Sequence, residues 1–386
     1  MTTVRGPAPP LPVRTRPRVL VAGLGDTGVL VATRLARACD VVAVATRPAL
    51  VSGQELGLRL AEPATWARSY YVPFARFRRL DGVRIVHGRV VRSDLDARCV
   101  HVERADGGHA VEPYDVLVVA TGVSSGLWRN DRVEDLDAVD ADLARVRADL
   151  DGAATIAVVG GGASGVSAAC HLARRGRARV HLFHDGDAPL PGHPAAVRAW
   201  VVDRLAAEGV ARHPGHRARI PEDFRGERLT HEPVVWASGQ PPFAADAVLW
   251  AVGAARPHTG FLPPEVLDAG GFVRVNEHLA VPGHPEVFAV GDVAASDPLR
   301  SSARNDGHRV VVANVRAVLR GRPARARFRP ARARWGSILG LLPEGLTVAL
   351  PTGHRIRIPR WIAAPAIYGL YVPALLYGGL RPGPTR

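Results

Sequence analysis

An α/β fold with two Rossmann-like units, the second inserted in the first and a C-terminal segment following, is what these 386 residues predict. Two glycine turns carry that prediction. Val19–Gly28 reads VLVAGLGDTG and Thr155–Gly165 reads TIAVVGGGASG. Each is an apolar run suited to a strand buried on both faces, then G-x-G-x-x-G, then the start of a helix. The third observation is a pair of apolar strands ending in glycine motifs, one before the second turn and one after it. These are Tyr114–Gly122 (YDVLVVATG) and Val287–Ala294 (VFAVGDVA).

In the first turn Gly23 makes the bend, Gly25 lets backbone approach a pyrophosphate, and Gly28 lets helix pack on strand. Asp26 and Thr27 open a helix expected over Asp26–Ala38, whose N–H groups and positive dipole end face the phosphates. Strand Val41–Ala45 follows. An acid for the ribose hydroxyls is expected roughly 20 residues past the second glycine. Thr46 stands there instead; it donates one hydrogen bond and does not clamp both hydroxyls, which leaves Arg47 to compensate through a phosphate.

Ser52 in Ala49–Leu60 fits the cap of a helix start. Trp66–Leu80 interleaves aromatics with arginines and has two readings, a single-stranded nucleic-acid surface or core aromatics with a solvated arginine rim; the second is favoured. Val83–Val86 and Cys99–Glu103 alternate as a strand meander. Asp131–Ala154 reads as an acidic helix bridging into the second unit. There Gly160, Gly162 and Gly165 repeat the glycine roles around Ala163 and Ser164, and Val166, Ala169, Leu172 and Ala173 share a helix face. Arg179–Phe183 is the next strand. An acid at its end, position 184, favours NADH, whereas His184 leaves room for a 2′-phosphate; Asp185 one residue on blurs the choice, with NADPH slightly favoured. Trp236–Gln240 reads as a hairpin, Asp246–Gly253 as the strand that closes the unit, and Val310, Val311, Asn314 and Val318 as one helix.

Composition narrows the classes. The net charge of +14 invites a nucleic-acid partner, but all 50 basic residues are arginine, a compositional bias more than a binding surface, and no nucleic acid is expected. Cys39, Cys99 and Cys170 are far apart with no C-x-x-C, so a dithiol relay is excluded and the cysteines read as core residues of a cytoplasmic protein. No metal-ligand spacing stands out. Residues 1–17, rich in Pro and Arg, read as a disordered tail.

The order of the four motifs resembles the two-dinucleotide-domain flavoprotein disulfide reductase superfamily, over roughly 18–321. The resemblance implies FAD on the first turn and NAD(P)H on the second. Ala120, Thr121, Gly122, Gly253 and Gly291 would lie in the cofactor-binding turns, and Asp292 would hold the ribityl chain. It also implies an FAD domain over 18–150 and 256–325, an NAD(P)H domain over 151–255 and a C-terminal segment over 326–386. Gln54 and Glu55, from a stretch that runs close to the isoalloxazine in that superfamily, are flavin-edge candidates, as is Ser302 before the last helix. Ser167 stands where type II NADH dehydrogenases commonly carry a Glu. From about Arg327 the chain resembles the apoptosis-inducing-factor-like branch that includes the ferroptosis suppressor protein. That branch implies ping-pong transfer from nicotinamide to flavin to a quinone or other small acceptor. A tailoring or ferredoxin-type reductase, or a nucleotide-sensing flavoprotein with little turnover, is the alternative.

Trp361–Leu380 (WIAAPAIYGLYVPALLYGGL) carries no charge and is flanked by Arg355, Arg357, Arg360 and Arg381. About 20 apolar residues suffice to span a bilayer, but Pro365, Pro373 and Gly378-Gly379 argue against one clean span. Two readings stay open: a buried packing segment, or a segment in the headgroup layer at the inner face of the cell membrane, with its tyrosines and Trp361 at the interface.

Overall fold

The computed structural model describes residues 16–127, 130–222, 224, 226–299 and 306–383. Ser302 and most of the N-terminal tail lie outside them.

The first unit contains β1 (Arg18–Ala22), α1 (Gly28–Leu35), β2 (Asp40–Ala45), β3 (Ala49–Val51), α2 (Leu56–Ala61), α3 (Pro63–Tyr70), β4 (Tyr71–Pro73), β5 (Val83–Asp94), β6 (Cys99–Arg104), β7 (His109–Pro113) and β8 (Val116–Val119). A short strand β9 (Val123–Ser124) and a long helix α4 (Leu136–Gly152) lead to the second unit. That unit comprises β10 (Thr155–Val159), α5 (Ala163–Arg174), β11 (Arg179–Phe183), α6 (Ala195–Ala207), β12 (Ala211–His213) and β13 (Ala247–Trp250). β14 (Arg256–Pro257) leads back to β15 (Ala280–Val281), β16 (His284–Ala289) and α7 (Gly307–Val318).

β15 and β16 rejoin the first sheet, whose order is β15-β16-β8-β1-β2-β5-β6-β7, while the second sheet runs β12-β11-β10-β13. The second unit is therefore inserted in the first. β1 pairs in parallel with both β2 and β8, and β10 in parallel with both β11 and β13. These central strands are aliphatic because helices or loops cover both faces. The two crossings between units lie side by side, β9 antiparallel to β14.

The chain ends in a three-stranded sheet of β17 (Gly336–Leu342), β18 (Gly345–Ala349) and β19 (Arg355–Ile358), then a helical turn α8 (Arg360–Ala363) and a π-helix over Ala364–Leu376. Val372, Leu376 and Tyr377 dock on the core of the first unit, where Tyr377 meets Phe77 edge-on at 5.0 Å. The opposite side stays in solvent: Trp361 is 77% exposed and Leu375 62%, with Ile362, Leu370 and Tyr371 beside them. Pro365 at the start and Pro373 within this helix remove backbone donors, which suits the widened turn. Among the described residues no helix is long and apolar enough to cross a membrane.

Three local expectations shift. α1 is shorter than Asp26–Ala38, beginning at Gly28 and ending at Leu35. α2 starts at Leu56 rather than beyond a Ser52 cap: the Ser52 hydroxyl donates to the Asp26 carboxylate at 2.7 Å and accepts from the Gln54 amide at 3.2 Å, and Glu55, in the left-handed region, precedes the helix. Trp236–Gln240 does turn the chain back, closed by reciprocal Val234–Phe243 hydrogen bonds of 2.8 and 3.0 Å, but its arms are isolated bridges rather than the regular strands of a hairpin. In Trp66–Leu80 the aromatics Trp66, Tyr70, Tyr71, Phe74 and Phe77 are buried, while Arg68, Arg78 and Arg79 are exposed.

Candidate dinucleotide sites

The glycines of each turn divide by what surrounds them. A side chain at Gly23 would lie 2.5 Å from the Ala120 carbonyl oxygen, and one at Gly28 only 1.9 Å from that of Gly23. Both are needed for β1, β8 and α1 to close up. Gly25 has nothing within 4 Å of a built Cβ, so its backbone lies bare in front of α1. The second turn repeats the division: Gly160 would meet the Ala251 oxygen at 2.3 Å, Gly165 the Gly160 oxygen at 2.0 Å, and Gly162 nothing. Two helix N-termini thus each present open backbone, the arrangement a pyrophosphate requires.

The first turn opens on a cavity of about 500 Å³ bounded by Gly23 and Gly25, by Thr46 and Arg47 after β2, by Gly88–Val91 of β5, and by Ala120 and Thr121 after β8. Gly291, at φ +82°, abuts the α1 N-cap, since its Cβ would stand 3.0 Å from the Thr27 hydroxyl. The half-buried Asp292 follows at that edge. Gly122, the residue after Thr121, also has a positive φ, +72°.

A smaller cavity of about 150 Å³ lies where the units meet. Ser52, Gln54 and Arg59 face Ser164, Trp250 and Gly253 across it. Of the two flavin-edge candidates the structure brings Gln54 to this wall. Glu55 turns away: it sits in the left-handed region at φ 56°, and its carboxylate occupies the space a side chain on Gly340 of β17 would need.

Arg59, which motif reading missed, is 3% exposed, with its guanidinium carbon 4.3 Å from the centroid of the Trp66 ring. Burial drives its pKa well below the usual arginine range, and Arg47 pushes the same way, against Asp142, Tyr71 and Glu134. Nothing local in the sequence marks Arg59, the fourth residue of the short helix α2, as a buried cation.

Arg47 is held by protein groups. Its Nε donates to Glu134 at 2.7 Å and its Nη2 to the Asn130 side-chain oxygen at 2.9 Å. Ser167 packs beneath Gly57 of α2, where a Cβ would lie 2.5 Å from the Ser167 carbonyl and 2.6 Å from its hydroxyl. With Ser167 itself buried, this packing leaves no room for a glutamate at 167 while α2 and α5 stay in contact. His171, one turn on, reaches the Leu339 carbonyl of β17 at 2.7 Å, and burial lowers its pKa. His184 follows β11 directly, is buried with its Cβ against Gly161, and also has a pKa lowered mainly by burial, while Asp185 is exposed.

A second set that the sequence does not signal joins the two crossings. His258 Nε2 lies 2.7 Å from the Ser124 hydroxyl and its Nδ1 3.0 Å from the Thr121 carbonyl. A carbonyl accepts only, so the proton is assigned to Nδ1 and the Ser124 hydroxyl donates to Nε2. The Thr121 hydroxyl in turn donates to the His258 carbonyl at 2.8 Å. The thiols lie apart from both cavities: burial raises Cys39 and Cys99 and pushes Cys170 up to about 11, which keeps them protonated and inert.

Two glycine cradles, two helix N-termini and a cavity between the units define a two-dinucleotide flavoprotein, with residues that fit FAD on the first turn and NAD(P)H on the second. The family model described as pyridine nucleotide-disulphide oxidoreductase matches residues 17–317, and the chain belongs to that family. It is similar to the type II NADH:quinone oxidoreductase Ndh of Mycobacterium tuberculosis, 27% identical over 79% of this chain and 73% of the relative. It is also similar to the ferredoxin–NAD(+) reductase component of the p-cumate 2,3-dioxygenase system of Pseudomonas putida, 28% identical over 72% of this chain and 68% of the relative. Across these curated relatives the chain spans about two thirds to three quarters of their own length. Among solved structures, the reductase in the covalent putidaredoxin reductase–putidaredoxin complex shares the fold at TM-score 0.61 and 20% identity, with 86% of each chain covered. The protein is thus an NAD(P)H-dependent flavoprotein oxidoreductase.

Proposed function

We propose that the acceptor is a quinone-like molecule met at a lipid surface, reached without a redox disulfide. The observation that carries this reading is the solvent-facing side of the C-terminal helix, where Trp361, Ile362, Leu370, Tyr371 and Leu375 stand exposed together beside Arg357 and Arg360. Aromatic and aliphatic side chains edged by arginines suit the headgroup layer of an anionic bilayer. The bound flavin would supply the chemistry, taking a hydride from the nicotinamide and passing electrons on. The chain supplies position. The bare Gly25 and Gly162 backbones would receive the pyrophosphates, Asp292 would hold the ribityl hydroxyls, and Gln54, Ser164 and Gly253, which line the smaller cavity, would wall the space where the two cofactors meet. The His258 bolt fixes the two crossings. On the nicotinamide side, the buried, neutral His184 in place of an acid favours NADPH.

The similarity to the ferredoxin–NAD(+) reductase component, with the fold shared with putidaredoxin reductase, supports a second reading, a small ferredoxin-type electron-carrier protein as acceptor. One experiment separates them. The triple variant W361S/L370S/L375S, altered only at exposed positions, should lose sedimentation with anionic liposomes at low salt, and its turnover should fall more with a long-tailed quinone than with a short soluble one. Failure of the unaltered protein to sediment with those liposomes removes the membrane reading.

A further inference from the structure

The ribose position of the first site is where the sequence falls short, since Thr46 stands where an acid would clamp the hydroxyls. The structure brings a distant segment to that place. The Glu134 amide donates to the Thr46 carbonyl at 2.9 Å, and His87 Nε2 lies 3.3 Å from the Thr46 carbonyl and 3.1 Å from that of Glu134. Arg47 completes the attachment through Glu134, at 2.5 Å from Nη2, and through Asn130. The Asn130 side-chain oxygen also accepts from the Arg132 amide at 3.1 Å. Residues 130–134 are thereby strapped across the end of β2.

This strap changes which groups remain for a ligand. Glu134 is neutralised by Arg47. The Asn130 oxygen is committed twice. Asn130 and Asp131 both line the first cavity alongside Thr46 and Arg47. Among the described residues lining that cavity, Asp131 carries the one carboxylate, and it is exposed. A vicinal diol needs an acceptor for each hydroxyl, and a carboxylate offers two oxygens side by side, with charge-assisted bonds roughly twice as strong as neutral ones.

We propose that Asp131, carried on this strap, is the acid that receives the adenosine ribose of the bound flavin dinucleotide, in place of the acid absent from the end of β2. The proposal rests on the reading of the first turn as the FAD site. Thr46 then serves as a backbone anchor for the strap, and Arg47 as the pin that sets Asp131 at the cavity wall rather than as a phosphate ligand.

The test is flavin affinity, measured on the full chain freed of cofactor and titrated with FAD, or with its 2′-deoxyadenosine analogue, by quenching of flavin fluorescence. The unaltered protein should prefer FAD to the analogue. Asp131→Ala should bind FAD at least about tenfold more weakly and should no longer distinguish the two, a loss that a merely structural role would not produce. The thermal midpoint should hold, because the carboxylate is exposed. Unchanged FAD affinity in D131A, or preserved discrimination between the two ligands, overturns the assignment of Asp131 while leaving the FAD site standing. Failure of the unaltered protein to bind FAD overturns the first-turn reading itself, and the assignment with it.

Discussion

Exchanging the third and the second glycine of the nucleotide turn for alanine should separate stability from binding. In Gly165→Ala the new methyl falls 2.0 Å from the Gly160 carbonyl oxygen, and contacts under 3.0 Å are essentially never seen, so at least 1.0 Å of movement is forced (3.0 − 2.0). Both partners are backbone in a strand–helix corner, so no side chain can swing aside. Overpacking of this kind costs about 1–3 kcal/mol or more, offset by at most about 1 kcal/mol from better helix propensity. Each kcal/mol moves the midpoint by roughly 2–4 °C in a unit of about 150–250 residues, so a drop of several degrees is expected. Gly162→Ala is the mirror case. Its φ of −74° and ψ of 175° are open to alanine and nothing lies within 4 Å, so stability should fall by no more than about 1 kcal/mol, the preference for glycine over alanine at a helix N-cap. The methyl nevertheless stands where the pyrophosphate must approach, and affinity for NAD(P)H should fall about tenfold or more. Differential scanning fluorimetry and calorimetric titration of the two variants give the comparison. Equal loss of midpoint in both, or unchanged nucleotide affinity in Gly162→Ala, refutes the division of roles.

Two further outcomes concern the thiols, of which Cys39 and Cys170 are buried and Cys99 is only partly so, against the expectation of three core cysteines, and a buried histidine. A cysteine-free variant (C39A/C99S/C170A) should reduce its flavin with NAD(P)H within a few-fold of the unaltered protein in stopped flow; a collapse with the fold intact by circular dichroism would restore a thiol route. His171 is neutral in the fold with a pKa below its unfolded value of about 6.5, so the unfolded chain binds the extra proton first as pH falls. Its contribution is complete above about pH 6.5 and is lost progressively below it. H171Q, which can still donate to Leu339, should lose midpoint less steeply than the unaltered protein between pH 6.5 and the acid limit, and parallel curves would show that another group carries the acid sensitivity.

What the sequence made legible was local. β11 coincides with the expected Arg179–Phe183, and the buried strands and glycine turns were readable because strand burial and turn sterics act within about ten residues. The Arg47–Glu134 pair spans 87 positions and the Ser124–His258 pair 134, so no periodicity could announce either. Gln54 and Glu55 were indistinguishable as adjacent polar residues. The left-handed backbone at Glu55 sends the two side chains apart, and the Glu55 carboxylate ends against Gly340 of the C-terminal sheet, a partner far along the chain that no local pattern announces. The open choice at Trp361–Leu380 had a structural cause as well: one side of that helix docks and the other does not.

The contact of α2 with α5 has a consequence for how this chain can change. Gly57 is already the smallest residue available, and it touches Ser167 backbone as well as side chain. No single exchange on α2 can make space, so a carboxylate at 167 is not one mutational step away. It would require the two helices to part, carrying His171 off the Leu339 carbonyl and reshaping the wall that holds Gln54 and Arg59. Positions 57, 167 and 171 should therefore drift together or stay fixed.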